Sequence, residues 1–454
     1  MQVITIEVPH LGNRTHLVHD GSVAVAVDPP RDIAVVEHEA DRAGVELVAV
    51  AETHIHNDYL SGGLRLARRH GADYLVAAGE EVGFERTPVL EGDTIHYGRL
   101  SLSVLATPGH TLQHVSYLAS PNNAAEDATT PGALFSGGSL LHGTVGRTDL
   151  VDPARTLDLA RAQWFSGRRL GMLPPQTQLH PTHGFGSFCS SSGAAPVDGP
   201  VTIGHQRTHN PALTTSLDTF VTDLLAGLGP VPAHYAHMAP RNRAGVTEPA
   251  AAGRRLDADE LRGARERGAW LVDLRDRRRY AEGHLLGAIS VEHGPQCAVY
   301  TGWVTPWGGD VVVVSDDPAQ LDTALTELGT IGVEAVDSAL LDDTTPYDAR
   351  LRRVDWATFA AQPASPDRVV LDVREPREWR AGRLPGALNI PVHQLGVRVH
   401  EVLPGEVWVH CQAGYRAAVA AGLLDRAGRD VVLVDDRFDR VRELGIPLEH
   451  EIAA

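Results

Sequence analysis

Apolar residues in the first part of the chain occur in short runs that alternate with turns and with amphipathic segments. A short apolar run predicts a strand, and apolar residues three and four positions apart predict a helix. We predict helices over residues 33–43, 63–70 and 153–165, the last with Asp152 as N-cap and Pro153 at its first position. The pattern predicts a layered α/β domain. Its predicted strands cover residues 3–8, 15–19, 23–28, 47–53, 74–77, 94–97, 100–107, 114–119, 133–136 and 178–182.

The sequence beyond these strands lacks their alternating pattern. Residues 190–200 are small and polar with Gly and Pro, which predicts a loop, and residues 216–228 have the spacing of a helix. A Pro-rich stretch follows around residues 230–240. We therefore predict a first domain over residues 1–253, in which residues 190–253 form a connector packed on the preceding strands.

The last part of the chain contains an internal repeat. The segment that begins Val272-Asp-Leu-Arg matches the segment that begins Leu371-Asp-Val-Arg at a constant offset of 99 positions. Strands and helices alternate in each copy, which predicts two small parallel-sheet α/β domains over residues 254–345 and 350–454. Such folds place their sites at the carboxyl ends of the strands.

The loop at that end differs between the two copies. In the second copy the predicted strand 407–410 leads into His410-Cys-Gln-Ala-Gly-Tyr-Arg, whereas in the first copy strand 311–314 leads into Ser315-Asp-Asp-Pro. The first copy thus has no thiol at the position of Cys411. We therefore predict that the first copy is degenerate and serves as a structural or docking module.

Cys411 stands where a strand ends and a glycine-containing loop leads into a helix. Backbone N–H groups and the positive end of the helix surround such a residue and stabilise a thiolate. Arg416 adds a fixed positive charge for the thiolate or for an anionic sulfur donor. The sequence therefore predicts a nucleophilic cysteine. The rest of its loop consists of Gln412, Ala413, Gly414 and Tyr415.

Histidines gather directly after predicted strands. The segment Thr53-His-Ile-His-Asn-Asp-Tyr supplies His54, His56 and Asp58. Histidines two positions apart on a turning backbone can face one metal ion, and a nearby carboxylate can orient a ligand or bind a second ion. His110 and His183 also follow predicted strands. We therefore expect these four histidines to converge at one sheet edge as a metal site.

Composition excludes several function classes. All 40 basic residues are arginine, which excludes lysine Schiff-base chemistry and a Walker-type phosphate-binding lysine. A formal net charge of -18 argues against nucleic acid or an anionic membrane as a partner. The 3 cysteines are too few for a disulfide framework, and neither Cys189 nor Cys297 has the pattern of a catalytic thiol. With no signal segment and no long apolar run, we expect a cytoplasmic protein.

The Thr-His-x-His-x-Asp, Pro-Gly-His-Thr and Gly-Arg-Thr-Asp-Leu segments resemble the metallo-β-lactamase fold superfamily, over roughly residues 1–189, and within it the persulfide dioxygenases. The resemblance implies an αββα sandwich and a mononuclear iron that oxidises a thiol persulfide with dioxygen to sulfite and free thiol. It assigns two iron ligands to His54 and His110. The third, an aspartate, falls at Gly138, and Tyr59 stands where many relatives have a histidine for a second ion.

Glycine cannot ligate a metal, so the metal set stays open at this point. His54, His56 and His110 form a three-histidine set suited to zinc with a water in the fourth position. Alternatively the iron chemistry persists with water, His142 or Asp149 in place of the aspartate. We expect one metal ion per chain, Fe(II) or Zn(II). Further candidates for ligation or for support of the ligands are Asp58, Tyr59, His183 and Asp149.

The tandem copies resemble rhodanese-like sulfurtransferase domains, over roughly residues 256–338 and 353–451. Together the resemblances imply sulfane-sulfur metabolism, in which Cys411 carries a persulfide taken from thiosulfate or from a thiol persulfide. We expect small thiols, thiol persulfides and thiosulfate as partners, and the sequence leaves homo-oligomerisation open. Two alternatives stay open. One is a zinc-dependent metallo-hydrolase of the thioester type with a separate sulfurtransferase module, and the other is a non-catalytic sulfur carrier or sensor with a degenerate metal domain.

Overall fold

The computed structural model describes residues 1–122, 131–191, 201–362, 365 and 367–450. The chain divides into two compact units, and the first comprises Met1–Ala250 with Gly329–Gly332. The second comprises Ala251–Leu328 with Val333–Ala454. Most of the predicted loop 190–200 lies outside the described residues. Among the helices of the described segments, none has the length and apolar character to cross a membrane.

The strands of the first unit form two sheets. The first sheet contains, in spatial order, β1 (Gln2–Val8), β2 (Asn13–His19), β3 (Val23–Val27), β4 (Glu46–Ala51), β5 (Asp73–Ala77) and β6 (Thr87–Val89). Strands β3 to β6 run parallel to one another. The second sheet contains, as successive neighbours, β7 (Thr94–Tyr97), β8 (Leu100–Ala106), β9 (Val115–Pro121), β10 (Ala133–Gly137) and β11 (Gln178–Pro181). Strands β10 and β11 are parallel, so their carboxyl ends share an edge.

The helices of the first unit include three between the strands and four in the connector. They are α1 (Ala34–Ala43), α2 (Gly63–His70), α3 (Thr156–Leu170), α4 (Ile203–His209), α5 (Pro211–Thr214), α6 (Leu217–Gly227) and α7 (Tyr235–Ala244). A short 3-10 turn at Pro153–Arg155 precedes α3. Its N-cap is Asp152, which accepts a hydrogen bond from the Ala154 N–H, as the sequence predicts.

Alternation along β3 explains how the layers form. Val25 lies in the core between the two sheets together with Leu102. Ala24 points the other way, into the core that the first sheet forms with α1 and α2. Leu170 of α3 packs with Leu134 on the outer face of the second sheet. The resulting order of helix, sheet, sheet and helix is the αββα sandwich that the resemblance implies.

Each predicted strand of this unit is confirmed, with ends that differ by one or two residues. Strand β6 was missed because it has three residues with Pro88 at its centre. Helix α3 continues to Leu170, beyond the predicted end. Helix α7 was also missed, because the Pro240 inside it is typical of a helix breaker. The helix nevertheless buries Met238 and Ala239.

The second unit contains two parallel sheets. One has the order β13-β12-β14-β15, and the other has the order β16-β20-β19-β17-β18. Their strands are β12 (Trp270–Asp273), β13 (Ile289–Ser290), β14 (Val311–Ser315), β15 (Asp337–Leu340), β16 (Arg352–Val354), β17 (Arg368–Asp372), β18 (Leu388–Asn389), β19 (Glu406–His410) and β20 (Asp430–Val434). Their helices are α8 (Ala258–Glu266), α9 (Arg277–Glu282), α10 (Cys297–Val304), α11 (Pro318–Thr330), α12 (Trp356–Ala361), α13 (Pro376–Ala381), α14 (Val392–Arg398), α15 (Tyr415–Arg426) and α16 (Arg440–Glu443).

Apart from the additional edge strand β16, the two sheets have the same strand order, as the repeat predicts. Asp273 of β12 pairs with Val314 of β14, and Asp372 of β17 pairs with His410 of β19. The residues that follow these partners are Ser315 and Cys411. The register therefore puts Ser315 at the position of Cys411. The domain boundaries predicted from the sequence stay predictions.

Candidate metal centre and cysteine loop

The candidate metal residues lie at one edge of the sheets of the first unit. Asp28 follows β3, and the loop from Thr53 to Asp58 follows β4, which runs parallel to β3. His110 lies in the loop from β8 to β9, and His183 follows β11. All of these side chains are buried. Because the carboxyl ends of parallel strands meet at one edge, loops that are distant in sequence come together.

Three histidines face one another at the centre of this edge. One ring nitrogen from each of His54, His110 and His183 lies within 4.8 Å of the others. The Nε2 atoms of His54 and His183 are 3.3 Å apart. The structure thus brings His183 together with His54 and His110, and two further groups of possible ligand atoms include His56, one with Asp28 and His54 and the other with Asp58 and His183. The ligand set itself stays a prediction.

Hydrogen bonds to the Nδ1 atoms of His54 and His110 determine which ring nitrogen carries no proton. Thr53 Oγ1 donates its proton to Asp28 Oδ2 (2.7 Å), so it accepts from the Nδ1–H of His54 (2.9 Å). The backbone carbonyl of Arg147 accepts from the Nδ1–H of His110 (2.7 Å). In both rings Nε2 is left as the unprotonated atom.

The third ring is oriented through an asparagine. Asn13 Nδ2 donates to Asp58 Oδ2 (2.7 Å), which fixes the amide, and Asn13 Oδ1 accepts from the Nδ1–H of His183 (2.9 Å). Nε2 of His110 has no hydrogen-bond partner among the described residues. Unprotonated nitrogens that face one point repel one another unless a cation lies among them. The donor set therefore fits one metal ion.

Burial keeps these three histidines neutral. Burial, followed by the charge of His183, lowers the pKa of His110 to about 3. Burial and the neighbouring His56 hold the pKa of His54 well below its ordinary value. Burial also lowers the pKa of His183, although Asp58 opposes it. Neutral imidazole is the form that binds a metal.

His56 has different surroundings. Its Nε2 lies 3.3 Å from Asp28 Oδ1 and 3.2 Å from Glu52 Oε2. Burial by itself lowers the pKa of His56, but these two carboxylates outweigh it and raise the pKa to about 10. These contacts suit a supporting role for His56 beside the three-histidine group. The ligand role that the sequence predicts for His56 stays a prediction.

The remaining predicted residues lie around this group or outside it. Asp58 Oδ2 lies 3.4 Å from Nδ1 of His183. The buried Tyr59 donates its hydroxyl proton to a backbone carbonyl 3.2 Å away. Asp149 forms a bidentate pair with Arg147, at 2.7 and 2.8 Å. Its carboxylate is therefore engaged away from the three-histidine group.

Gly138 has no room for a side chain. A Cβ atom at this position would lie 2.6 Å from Cγ of His110. The Gly138 N–H also donates to Nε2 of His114, at 3.0 Å. A carboxylate at position 138 therefore requires His110 to move. The other sequence-based substitute, His142, lies edge-on against the ring of Phe185.

Several residues that orient the site were missed by sequence reasoning. Asp28 directly follows a predicted strand at the same edge, so strand-end position was a signal for it. Asn13 and Asn242 offered no such signal, because their partners are 45 and more than 180 positions away along the chain. Arg147 belongs to the Gly-Arg-Thr-Asp-Leu motif, but its role is visible only in its contacts.

Cys411 lies buried at the carboxyl end of β19 in the second unit. The Gly414 N–H donates to Cys411 Sγ at 3.2 Å. Gly414 has a φ of 93°, and a Cβ there would collide with the Asp435 carboxylate, so the loop requires glycine. Helix α15 begins at Tyr415, which puts its positive end at this loop. A backbone donor and the start of a helix therefore both face the sulfur of the predicted nucleophile.

The charge of Arg416 is shared with a carboxylate. Its guanidinium forms a bidentate pair with Glu378 of α13, at 2.6 and 2.7 Å. Burial opposes ionisation of Glu378, but Arg416 outweighs it and lowers the pKa of this carboxyl. The Glu378 carboxylate therefore partly neutralises the positive charge of Arg416. The net positive charge beside the cysteine loop is smaller than the sequence predicts.

The other loop residues differ in exposure. Gln412 is half-buried and Ala413 is exposed. The ring of Tyr415 lies 5.2 Å from the ring of Tyr300, which belongs to the first copy. Tyr300 of the first copy therefore lies against the end of the Cys411 loop.

The other two cysteines are buried away from such a loop. Burial raises the pKa of Cys189 well above its ordinary value, and its Sγ lies 3.9 Å from the hydroxyl of Tyr235. Burial likewise raises the pKa of Cys297 to about 12. Both thiols are therefore held in the protonated form, which is poorly nucleophilic.

Comparison with known proteins gives relatives for both units. Residues 355–443 match the family model described as a rhodanese-like domain. A hydroxyacylglutathione hydrolase of Cupriavidus taiwanensis is 30% identical over 227 residues, which cover 43% of this chain and 80% of the relative. The mitochondrial persulfide dioxygenase of Homo sapiens is 28% identical over 239 residues, which cover 50% of this chain and 82% of the relative.

A crystal structure of a metallo-β-lactamase from Staphylococcus aureus matches with a TM-score of 0.65 at 25% identity. The match covers 75% of this chain and 99% of that one. The sandwich and its histidine group thus define a protein of the metallo-β-lactamase fold. Within that fold, the chain belongs to the family of the hydroxyacylglutathione hydrolases, and it is also similar to the persulfide dioxygenase of Homo sapiens. It carries a rhodanese-like domain in its second unit.

Proposed function

We propose that the chain is an enzyme of sulfane-sulfur metabolism, in which Cys411 transfers sulfur and the histidine group acts on a thiol persulfide. The observation that carries this proposal is the hydrogen bond from the Gly414 N–H to Cys411 Sγ in the loop before α15. The match of residues 355–443 to the rhodanese-like domain supports it. The relation of the first unit to a persulfide dioxygenase gives further support.

Sulfur transfer proceeds in two displacements at Cys411. The thiolate attacks the outer sulfur of thiosulfate, a new S–S bond forms, the S–S bond of thiosulfate breaks, and sulfite leaves with the electron pair. An acceptor thiolate then attacks the outer sulfur of the Cys411 persulfide, which yields the acceptor persulfide and returns the Cys411 thiolate. The Gly414 N–H and the positive end of α15 stabilise the negative charge before and after each step.

In the first unit, His54, His110 and His183 would hold one metal ion. When bound, Fe(II) supplies the redox chemistry that oxidation by dioxygen requires, whereas Zn(II) supplies Lewis acidity for hydrolysis. The chain's own contribution is to orient the three rings through their Nδ1 hydrogen bonds and to keep them neutral by burial. The three rings are thereby preorganised to hold one metal ion.

The two activities are complementary when they share a chain. Sulfur transfer from Cys411 to a small thiol yields a thiol persulfide, and a persulfide is the substrate proposed for the histidine group. Attachment of both sites to one chain raises the effective concentration of that intermediate.

A second candidate is a zinc-dependent hydrolase of the thioester type in the first unit, beside the same sulfurtransferase. The observation that favours it is the group of His54, His110 and His183, to which position 138 adds no carboxylate because a side chain has no space there. The relation to hydroxyacylglutathione hydrolases supports it as well.

Metal analysis of the purified chain separates these candidates. Iron with oxygen uptake on glutathione persulfide supports the dioxygenase, and zinc with hydrolysis of a glutathione thioester supports the hydrolase. We expect His183→Ala to lose the metal and His142→Ala, outside the group, to retain it. A wild-type chain that binds neither metal overturns both candidates and leaves a sulfur carrier or sensor.

Mass spectrometry tests the sulfurtransferase separately. After exposure to thiosulfate, we expect the peptide that contains Cys411 to gain the mass of one sulfur atom and to lose it on addition of cyanide or a thiol. A label on Cys189 or Cys297 instead would refute the assignment of Cys411.

A further inference from the structure

The connector supplies a buried asparagine to the histidine loop. Asn242 of α7 is only 6% exposed. Its Nδ2 donates to the backbone carbonyls of His56 (2.9 Å) and Tyr59 (2.8 Å), and its Oδ1 accepts from the Ser61 N–H (2.9 Å). All three partners belong to the loop of residues 54–61, which carries the first histidines of the site. The Asn242 side chain therefore links three backbone groups of this loop by hydrogen bonds.

The chemistry of these contacts demands an amide. Carbonyl oxygens only accept and a backbone N–H only donates, so the three contacts fix which end of the Asn242 side chain is nitrogen. An aspartate of the same shape would lose both donors and would set a carboxylate oxygen against two carbonyls. The buried contacts would then be repulsive instead of bonding.

The connector also contacts, through Arg147, the histidine His110 of the loop between β8 and β9. The carbonyl of Arg147 accepts from the Nδ1–H of His110, and the guanidinium of the same residue donates to the carbonyls of Gly229 (2.6 Å) and Pro230 (3.2 Å). These two carbonyls lie in the connector, just before α7. The orientation of His110 is therefore tied to the connector through Arg147.

Helix α7 is itself fixed to the first unit. The carbonyl of Arg243 accepts from the Gly83 N–H at 2.8 Å, and Arg243 Nε lies 3.2 Å from Glu80 Oε2. Met238 and Ala239 are buried on the same helix. The helix thus offers a rigid support, as a positioning residue requires.

We infer that the connector is part of the metal centre, and that Asn242 is a positioning residue that sets the loop of residues 54–61. The expected effect of Asn242 on metal binding rests on the proposed function. Its effect on the conformation of the loop of residues 54–61 does not depend on a metal. Hydrogen bonds outside the ligands orient them, and loss of such bonds lowers metal affinity by about 10–100-fold.

Asn242→Asp tests the inference, with Asn210→Asp as a matched control. Asn210 is a second fully buried asparagine of the connector, and its Nδ2 donates to the carbonyls of Leu141 (3.1 Å) and Thr144 (2.8 Å). We expect Asn242→Asp to lower zinc affinity about 10–100-fold in competition with a chromogenic chelator, and Asn210→Asp to leave it unchanged. Equal losses in both variants, or no loss in Asn242→Asp, would overturn the inference.

Amide hydrogen exchange of the metal-free protein gives a readout that does not depend on metal. Amide exchange across residues 56–60 should accelerate in Asn242→Asp, because the loop loses both donors to its carbonyls, and should stay as in wild type in Asn210→Asp. The Ser61 N–H itself keeps an oxygen acceptor in the aspartate. Unchanged protection of residues 56–60 in Asn242→Asp refutes the positioning role. If that variant does not fold, Asn242→Ser takes its place with the same expectations. If wild type binds no metal, the proposed function fails, while the exchange comparison still decides the role of Asn242.

Discussion

The two copies in the second unit share a framework and differ at one loop. In the first copy Arg275 forms a buried pair with Asp273, at 2.6 Å, and donates to the Gly283 carbonyl. In the second copy Arg374 and Asp372 form the same pair, also at 2.6 Å, and Arg374 donates to the equivalent glycine carbonyl. The buried arginine–aspartate pair and its glycine contact are therefore the same in both copies. The difference in chemistry has to come from the loops that follow β14 and β19.

Those loops close in different ways. In the first copy Ser315 Oγ donates to Gln320 Oε1 (2.8 Å) and accepts from the Asp317 N–H (3.2 Å). In the second copy the corresponding atom is Cys411 Sγ, which accepts from the Gly414 N–H. A backbone N–H donates to this atom in both copies, but the first copy has a hydroxyl that is also bonded to Gln320, whereas the second has a thiol. The comparison indicates that the parallel sheet positions one residue at the carboxyl end of the strand, and that the identity of this residue and of its loop determines the chemistry.

The largest expected effect is the loss of the nucleophile. Cys411→Ala removes the sulfur that accepts the sulfane atom, so transfer from thiosulfate to cyanide should fall by about 10⁴-fold or more in a steady-state assay. Ser315→Ala, the equivalent change in the first copy, should leave the rate unchanged. Transfer by Cys411→Ala at a tenth of the wild-type rate would break the comparison.

The shared framework predicts equal stability losses in the two copies. Asp372→Ala leaves Arg374 buried without its partner, and Asp273→Ala does the same to Arg275. Side-chain exposure is 3% or less in both pairs, so we expect each change to lower the free energy of unfolding by about 3–5 kcal/mol in urea titrations. A loss of less than about 1 kcal/mol in one copy alone would show that the two frameworks are not equivalent.

A smaller effect is expected from the glycine of the cysteine loop. Gly414→Ala imposes a side chain at a φ of 93° and against the Asp435 carboxylate, so the loop must shift and sulfur transfer should fall about 10-fold. Gly386→Ala is the control, because this glycine also has a positive φ, of 72°, while its Cβ would meet nothing within 4 Å. Comparable losses of transfer in both variants would assign the effect to backbone strain alone.

The sequence predicts the framework better than it predicts the orientation of side chains. Strand ends bring His54, His110 and His183 to one edge, and strand ends are visible in the pattern of apolar residues. The direction of His56 is not visible in that pattern, because it depends on Asp28 and Glu52 on either side of the ring.

The same limit applies to the connector. Asn242 contacts a loop more than 180 positions away along the chain, and no local signal marks such a pair. Pro240 gave a misleading signal, because tertiary packing of α7 overrides its tendency to break a helix. Long-range contacts and packing therefore account for the part of the site that the sequence alone does not predict.

The smallest effect is expected from a variant that tests whether the loop of the first copy can support sulfur transfer once it carries a thiol. Ser315→Cys, placed in the Cys411→Ala background, restores a thiol at the equivalent register position. We expect no recovery of thiosulfate-dependent transfer, because Asp316 and Asp317 follow this position and repel an anionic donor where the second copy has Gln412 and Ala413. The measurement is the cyanide assay at saturating thiosulfate, with alkylation to confirm that the new thiol is accessible. Recovery of transfer would mean that the serine alone silences the first copy, and that the surrounding loop contributes little to the difference between the two.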